Sequence, residues 1–489
     1  MLEGFSYFKT KLKQFMNSIE KIYPGSFEPV NHFYDKVQNS QLHPVVSHFL
    51  KMDVERIIKR FKHKNPQVCQ ETLKSLLTYS SKKFFWGGAD LVNVATEDGR
   101  KKMVILETNS CPSGQKSMPT LDDHDDYGGY KKLIEESFLP LLKKRRLPKG
   151  CLAVIYDKNY MECSGYASII AELTGETVYL VPMFDNGQIH CQFHNGILYI
   201  SMENEKIPIR AAFRYVTQKP WNRIPISTKT LIYNSTLSCL SGGRNKLVAS
   251  KAYELFNSKL AETGLCINTP NTIRDISKVE IPLWVEKFGG FAVIKDPYSN
   301  AGQGVFTITS KEELENFMAM DFAYDQFIVQ SLIGNYQWSS LSDHGVYFHM
   351  GTVPNKKGQI FVHDVRVMVY STPNGFKPCA IYARRAEKEL LDKLDGKDSW
   401  SILGTNLSVK KGENHWTSDT KRLILMDRKE FNSLGLSIDD LIEAYIQTVL
   451  SVISIDEMAQ TLTTKKGTFK INLFKSLDRD PALIKEISL

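Results

Sequence analysis

The stretch that most constrains this chain is 86–114, WGGADLVNVATEDGRKKMVILETNSCPSG, in which two apolar runs flank the dipeptide Asp98-Gly99. Asp-Gly between such runs specifies a β-hairpin, because a two-residue turn needs positive φ at its centre and glycine adopts it without steric cost. With Asp98 and Gly99 as the loop, Glu97 faces Arg100, Leu91 faces Leu106, Val92 faces Ile105, and Asp90 comes directly opposite Glu107. Side chains alternate along a strand, so Asn109 shares a face with Glu107. Like charges directly opposed, with Cβ atoms roughly 4.5–5.5 Å apart, are destabilising. Their apolar neighbours leave little water to relieve them. A hard divalent cation that takes oxygen ligands, Mg²⁺, would offset the repulsion. A solvated hairpin edge, or a slipped register that separates the acids, is the alternative that spacing leaves open.

The rest of the chain is long enough, at 489 residues with 24% charged and 42% hydrophobic, for two to four globular domains, which excludes only disordered and fibrous classes. Its net charge of +8 is small and dispersed, which admits nucleotides and argues against nucleic acid as a partner. Eight cysteines without a C-x-x-C pair suit free thiols in a reducing compartment. The first 22 residues carry Phe5, Phe8, Leu12, Phe15, Ile19 and Ile22 at helical spacing between lysines, the pattern of an amphipathic surface helix and not of a signal peptide. No run approaches the ~18 apolar residues of a membrane span. A cytoplasmic protein without a membrane partner is expected.

Helices are predicted over 44–61 and 70–80, ahead of the hairpin. Beyond it lie an acidic loop with Asp122, Asp123, Asp125 and Asp126, and a helix ending in the basic run Lys143, Lys144, Arg145, Arg146, a solvated helix end and domain boundary. From 150 the pattern alternates strand and helix, as in a small open α/β domain, and 188–201 reads as a hairpin turning at Asn195-Gly196. His190 and His194 share a face there without an evident third zinc ligand, which favours a structural role. Later come a loop and helix from 241, a capping box at Ser310 and Glu313, strands around 327–333, 362–370 and 377–385, an insertion over 387–400, and a helix over 437–452.

Between two strands, 294–305 (IKDPYSNAGQGV) places Gly302 and Gly304 where a backbone can approach phosphates, with Lys295 as a point charge. It is not a Walker A loop, since VFTI continues as a strand, and a flap over a nucleotide is the expected form. Asp364 and Arg366 point to one face of their strand, and Arg384-Arg385 ends the next one. Arginines beside a metal site suit phosphoryl or acyl-phosphate oxygens. Asn406 adds a polar ligand.

The series Lys246, Lys295 with its glycine loop, Gln330, Asp364-Val-Arg366, Arg385, Asn406-Leu-Ser, and Asp90 followed by Glu107-Thr-Asn109 resembles the ATP-grasp ligases. In most of that family the aspartate and E-x-N motifs come last, whereas here they come first. The chain therefore looks like a circularly permuted member, similar to eukaryotic glutathione synthetase and related carboxylate-amine ligases. The resemblance implies an α+β, ATP-grasp fold with an inserted open α/β, Rossmann-like domain. It divides the chain into 1–149 (helices and the metal-binding part of the core), 150–240 (the α/β domain), 241–332 (the lid with the glycine loop) and 333–489 (remaining core and C-terminal helices). It implies ATP and Mg²⁺ as cofactors. Lys246 and Lys295 would hold the ATP phosphates under a loop running from Ser299 through Gly302 to Gly304, and Gln330 would line the adenine pocket. Asp90, Glu107 and Asn109 would hold one or two Mg²⁺ ions, while Arg366, Arg385 and Asn406 would serve catalysis, the arginines by steadying an acyl phosphate. The acidic ribose ligand usual after Gln330 is replaced by Ser331 to Asn335, and the insertion has no family role. The expected reaction joins a small-molecule or peptide carboxylate to an amine. A phosphotransferase on the same fold and a non-catalytic nucleotide-binding protein are the alternatives. The acidic loop near the metal motif would favour a cationic acceptor.

Overall fold

Residues 438–461 are apolar nearly all round, and they form a 24-residue helix, Ile438–Thr461, whose first turn is closed by a capping box between Ser437 and Asp440. It runs a full two turns beyond the expected 437–452 because Ile453, Ile455, Met458 and Ala459 continue the buried surface. In the computed structural model, which describes residues 18–488 apart from 121–126, 145, 186–189, 300–301, 343–344, 395, 397 and 411–415, this helix underlies a six-stranded sheet. Helix residues Leu441, Tyr445, Val449 and Ile453 share one apolar core with strand residues Ala89, Leu91, Ile105, Val367 and Val369. Burying each such side chain is worth about 1.5–3 kcal/mol. Asp456, fully buried on the same helix, accepts hydrogen bonds from Lys83 N and Phe84 N (both 2.7 Å) and from Tyr79 Oη (2.6 Å). It thereby fixes the chain as it enters the hairpin.

The hairpin strand Trp86–Thr96 lies inside this antiparallel sheet, with Lys101–Ser110 on one side and His363–Thr372 and Tyr347–His349 on the other, followed by Gly375–Arg385 and Leu423–Ile424. Odd-numbered residues of Trp86–Thr96 face the helix, so Asp90 and Val92 face away from it. A second, four-stranded antiparallel sheet, ordered Thr272–Ile276, Phe327–Ser331, Ala292–Lys295, Val305–Ile308, has its own core with helices Ile281–Lys287 and Lys311–Ala319. A cleft opens between these two sheets.

The third sheet is seven-stranded and mixed, built from Glu20–Ile22 and from strands between 151 and 233. Cys151–Tyr156 runs parallel to Val178–Pro182 and to Glu205–Tyr215, with helix Tyr160–Thr174 as the crossover. The hairpin Cys191–His194 to Ile197–Met202 turns at Asn195-Gly196, both at positive φ. Its edge brings a correction. The segment Glu20–Ile22, read as the end of an N-terminal helix, is a strand paired antiparallel with Val178–Leu180, and 1–17, which held most of that expected helix, lies outside the described residues. The predicted helix 44–61 is likewise two, Pro44–Leu50 and Val54–Lys64, because Asp53 leaves the helix and accepts from Arg56 N (2.8 Å) as an N-cap. Helix Gln70–Leu77 stops short of the expected 80. Among the described residues no helix is long and apolar enough to cross a membrane.

Candidate active site

The hairpin reaches the expected pairing of Asp90 with Glu107 by another route. Three residues, not two, form its loop: Thr96 N donates to Arg100 O (2.9 Å), Gly99 N donates to Thr96 O (2.9 Å), and Gly99 sits at φ +76°. The expected pairs Leu91/Leu106 and Val92/Ile105 are therefore replaced by Leu91/Ile105 and Val92/Val104. A β-bulge then leaves Leu106 unpaired and restores Asp90 opposite Glu107. One surplus residue in the loop and one in the strand cancel. The bulge has two consequences that a regular strand forbids. Neighbouring side chains Leu106 and Glu107 both line the cleft, and the Leu106 carbonyl turns to accept from Lys295 Nζ (3.0 Å) in the other sheet.

Arginine relieves the opposed acids. Arg366 binds Asp90 through both Nε and Nη2 (2.6 Å to Oδ2), and Arg384 Nη2 lies 2.9 Å from Asp90 Oδ2 while its Nε donates to Asp364 (3.0 Å). Burial alone would raise the Asp90 carboxyl, but the Arg366 and Arg384 guanidiniums outweigh it and hold it well below the usual carboxylate range. Both Asp90 oxygens, expected to face a metal, are thus occupied by guanidinium donors. Asn109 does share the Glu107 face, as its Nδ2 donates to Glu107 Oε1 (3.1 Å) and its Oδ1 accepts from Arg244 Nη1 (2.8 Å). The other Glu107 oxygen lies 3.9 Å from Lys246 Nζ.

Lys246 opens helix Lys246–Leu260, whose N-cap Asn245 accepts from Val248 N (3.1 Å) and donates to buried Asp478 (2.6 Å), so the lysine is aimed by a locked cap. Its ammonium donates to Ser299 O. Burial pushes Lys295 down to about 8, against the pull of Glu107, and lowers Lys246 for the same reason. Two desolvated cations therefore stand beside Glu107 without a full countercharge. Arg385, expected to act with Arg366, does not join them. It is out of phase with Arg384 on its strand, stacks 4.6 Å from the Phe361 ring, and leaves Arg384 as the arginine at the acids.

The cleft spans about 850 Å³ when the open solvent at its mouth is included. Val92 and Leu106 from the central sheet and Val293 and Ile333 from the four-stranded side make its walls apolar, with Lys295, Gln330, Asp364 and Arg384 as polar points. Gln330 Nε2 donates to Thr272 Oγ1 (2.8 Å) across neighbouring strands. Gly302 and Asn406 meet at the cleft, and a Cβ on Gly302, which holds φ +76°, would lie 2.0 Å from Asn406 Nδ2. Asp296 N donates to Gly304 O (2.8 Å), closing the base of the glycine loop, and a Cβ on Gly304 would lie 2.4 Å from Ser299 Oγ. Positions 300–301 of that loop, and the acidic cluster Asp122, Asp123, Asp125 and Asp126, lie outside the described residues. The insertion, unassigned in sequence, is a strap. Leu390, Leu391 and Leu394 pack with Leu332, Trp338 and Ile402, and Ser399 Oγ bonds Thr307 and Glu313 (both 2.6 Å), tying it to the four-stranded sheet.

Sequence reasoning missed one cation beside this site, Arg244. The available signal was its place two residues before Lys246. Among the described residues no group of three or more His, Cys, Asp or Glu side chains is placed to hold a metal, which includes the His190 and His194 hairpin.

Neither a family model nor a curated protein sequence matches this chain. Solved structures do. A RimK domain ATP-grasp protein from Sphaerobacter thermophilus is similar over 52% of this chain and 97% of its own, at 12% identity and a TM-score of 0.29. D-alanyl-alanine synthetase A from Vibrio cholerae is similar over 48% and 89%, at 11% identity and 0.31. A glutathione synthetase-like effector from Globodera pallida is similar over 75% and 87%, at 9% identity and 0.34. The solved structures that this chain is similar to thus include an ATP-grasp protein and a glutathione synthetase-like effector, at a likeness that leaves its chemistry to be argued from its own residues.

Proposed function

We propose that this chain is an ATP-dependent carboxylate-amine ligase of the ATP-grasp kind, circularly permuted so that its E-x-N hairpin precedes the lid. The observation that carries the reading is the meeting of Lys246, Lys295 and Glu107 at an apolar slot between two antiparallel sheets. A polyanion with a flat apolar end fits such a site: desolvated ammonium groups take phosphates, and Val92, Leu106, Val293 and Ile333 take the base. Support for the permutation is that the hairpin at 86–110 pairs directly with strand His363–Thr372, so an early segment completes a sheet otherwise built late in the chain. The α/β unit over 150–240, joined by the edge strand Glu20–Ile22, the lid over 241–332 and the core over 333–489 with the rest of 1–149 follow as domains of that arrangement.

The donor set at the hairpin fits Mg²⁺ in part. Glu107, with a partly exposed side chain, and Asn109 would hold it, whereas Asp90 is committed to Arg366 and Arg384. Bound there, the ion would neutralise phosphate charge as a Lewis acid. The residues of the chain position and shield. Lys246 and Lys295 hold phosphate oxygens, Gln330 fixes the base, and Arg384 faces the charge that develops on the transferring phosphoryl group, while Arg366 clamps Asp90 beside it. A substrate carboxylate oxygen attacks the γ-phosphorus, the bridging P–O bond to ADP breaks, and an amine then attacks the acyl carbon with loss of inorganic phosphate and a proton. No nucleophile of the protein is required. Buried Cys111, beside the E-x-N motif, has its thiol pushed up by burial and is a packing residue.

The test is trapping. The chain is incubated with ATP, Mg²⁺ and a panel of carboxylic acids in the presence of hydroxylamine, and hydroxamate is measured alongside ADP. Hydroxamate that requires both ATP and an acid is the expected result. Stoichiometric phosphorylation of a hydroxyl compound without hydroxamate would replace the ligase by a phosphotransferase.

A further inference from the structure

Near its C-terminal end the chain forms two short helices, Ile471–Leu477 and Pro481–Ile487, and Asp478 and Asp480 at the joint between them are fully buried. Asp480 caps the second helix, accepting from Ala482 N (2.9 Å) and Leu483 N (3.2 Å). Asp478 has other partners. One of its oxygens accepts from Asn245 Nδ2 (2.6 Å), and the other accepts from Tyr298 Oη (2.8 Å) and Asp480 N (3.2 Å). A carboxylate this far from water is destabilising unless its hydrogen bonds are made, and here both oxygens join segments that are remote in sequence. Each segment bears on Lys246. Asn245 is the N-cap of helix Lys246–Leu260, and Tyr298 precedes Ser299, whose carbonyl accepts from the Lys246 ammonium. Lys246 N donates to Pro297 O (2.9 Å) in the same stretch. Leu247, Val248, Tyr298 and Phe474 share one apolar core around the bridge.

We infer that Asp478 is a positioning residue of the phosphate site, one that holds the start of the lysine helix and the base of the glycine loop in a fixed relation, so that ATP meets Lys246 already in place. The inference rests on the ligase reading above. A binding group held in place before its ligand arrives removes an ordering cost from binding, and losing that hold weakens ATP without slowing the chemical step. The test uses the full chain, with ATP affinity by calorimetry in the presence of Mg²⁺, ADP release for kcat and KM, and urea unfolding for stability. Tyr298→Phe removes the hydroxyl and keeps the ring. It should weaken ATP by about tenfold, the worth of one hydrogen bond to a carboxylate, and raise the KM for ATP with kcat near wild type. Asp478→Asn leaves a single oxygen where two are in use and should weaken ATP to a similar extent. Both act on one bridge, so the double variant should bind ATP no more weakly than the weaker single. Lys251→Met controls for mere loosening of the C-terminal segment, because Lys251 Nζ donates to Leu477 O (2.6 Å) next to the bridge and takes no part in it. It should lower the unfolding midpoint and leave ATP affinity unchanged. Wild-type ATP affinity in folded Tyr298→Phe and Asp478→Asn overturns the inference, as does an additive double variant or equal weakening by Lys251→Met. A wild type that binds no ATP refutes the nucleotide reading itself.

Discussion

Asp90→Asn offers the sharpest measurement on the arginine-clamped acid. In the wild type Arg366 spends two donors on Asp90, and its other contacts are Ser113 O at 3.4 Å and the Tyr382 ring at 5.9 Å. Neither neutralises a guanidinium whose side chain is 11% exposed. Arg384 retains Asp364, so the substitution strands one cation and not two. Removing one partner of a buried ion pair costs roughly 3–5 kcal/mol. Asp90→Asn should lose that amount, and Arg366→Gln the lower end of it, because Arg384 still reaches Asp90. The double variant strands no charge, so its loss should fall short of the sum by about 2–3 kcal/mol. Urea unfolding followed by tryptophan fluorescence, with buried Trp86 on the same strand as reporter, measures all three. Acid adds a signed check. The folded carboxyl lies below its unfolded value of ~3.9, so its contribution is complete above that pH and is lost as pH falls through the folded value. Wild-type stability should therefore drop on acidification below ~4, and Asp90→Asn should flatten that limb. Additivity of the two substitutions within ~0.5 kcal/mol, with an unchanged acid limb, would refute the clamp.

Arg384→Gln should lower turnover by about 10²–10³-fold, the usual cost of one preorganised donor, while Arg385→Gln, stacked on Phe361, should leave steady-state ADP release near wild type. Glu107→Gln should abolish ATP turnover and also lower the unfolding midpoint, since it takes away the carboxylate that supports the buried Lys246 and Lys295 ammoniums; a folded variant with full Mg²⁺-dependent activity would count against the site. Because the Lys295 ammonium is held at about 8, ATP affinity by calorimetry should fall as pH rises through that value, and Lys295→Met should remove the dependence. Fold stability moves the opposite way there, rising between pH ~8 and ~10.4, where the unfolded chain binds the proton that folded Lys295 has lost. Gly302→Ala, whose methyl would meet Asn406, should raise the KM for ATP, whereas Gly358→Ala, at the same φ of +76° with nothing within 4 Å, should not.

The pairing of Asp90 with Glu107 came out as expected only because the third loop residue and the surplus strand residue cancel, and what was legible is the hairpin itself, since alternation and a turn glycine are local properties. The bulge that completes it was not, since no residue type marks Leu106 as surplus; its place is set by Lys295, which arrives from another sheet. Arg384 and Arg385 show the same limit. Adjacent strand residues take opposite faces, and which of them meets the acids depends on the Asp364 to Arg384 register, a tertiary fact. The break at Asp53 lay in plain view as an N-cap residue inside an apolar period that read as unbroken. Asp478 was hidden for another reason. Nothing near it in sequence carries chemistry, and only the packing of the C-terminal helices brings it to Asn245 and Tyr298.

The surplus residue at 106 also bears on how relatives of this chain would line up with it. Because the ladder is regular on either side of the bulge, a hairpin that lacked it would keep the two acids as partners and would differ by a single gap opposite Leu106. Such a hairpin would still carry every motif residue and would have no carbonyl turned toward the lysine of the lid. A one-position gap there, in an otherwise intact D-to-E-x-N interval, would therefore separate chains whose two sheets are fastened through the main chain from chains that must fasten them some other way.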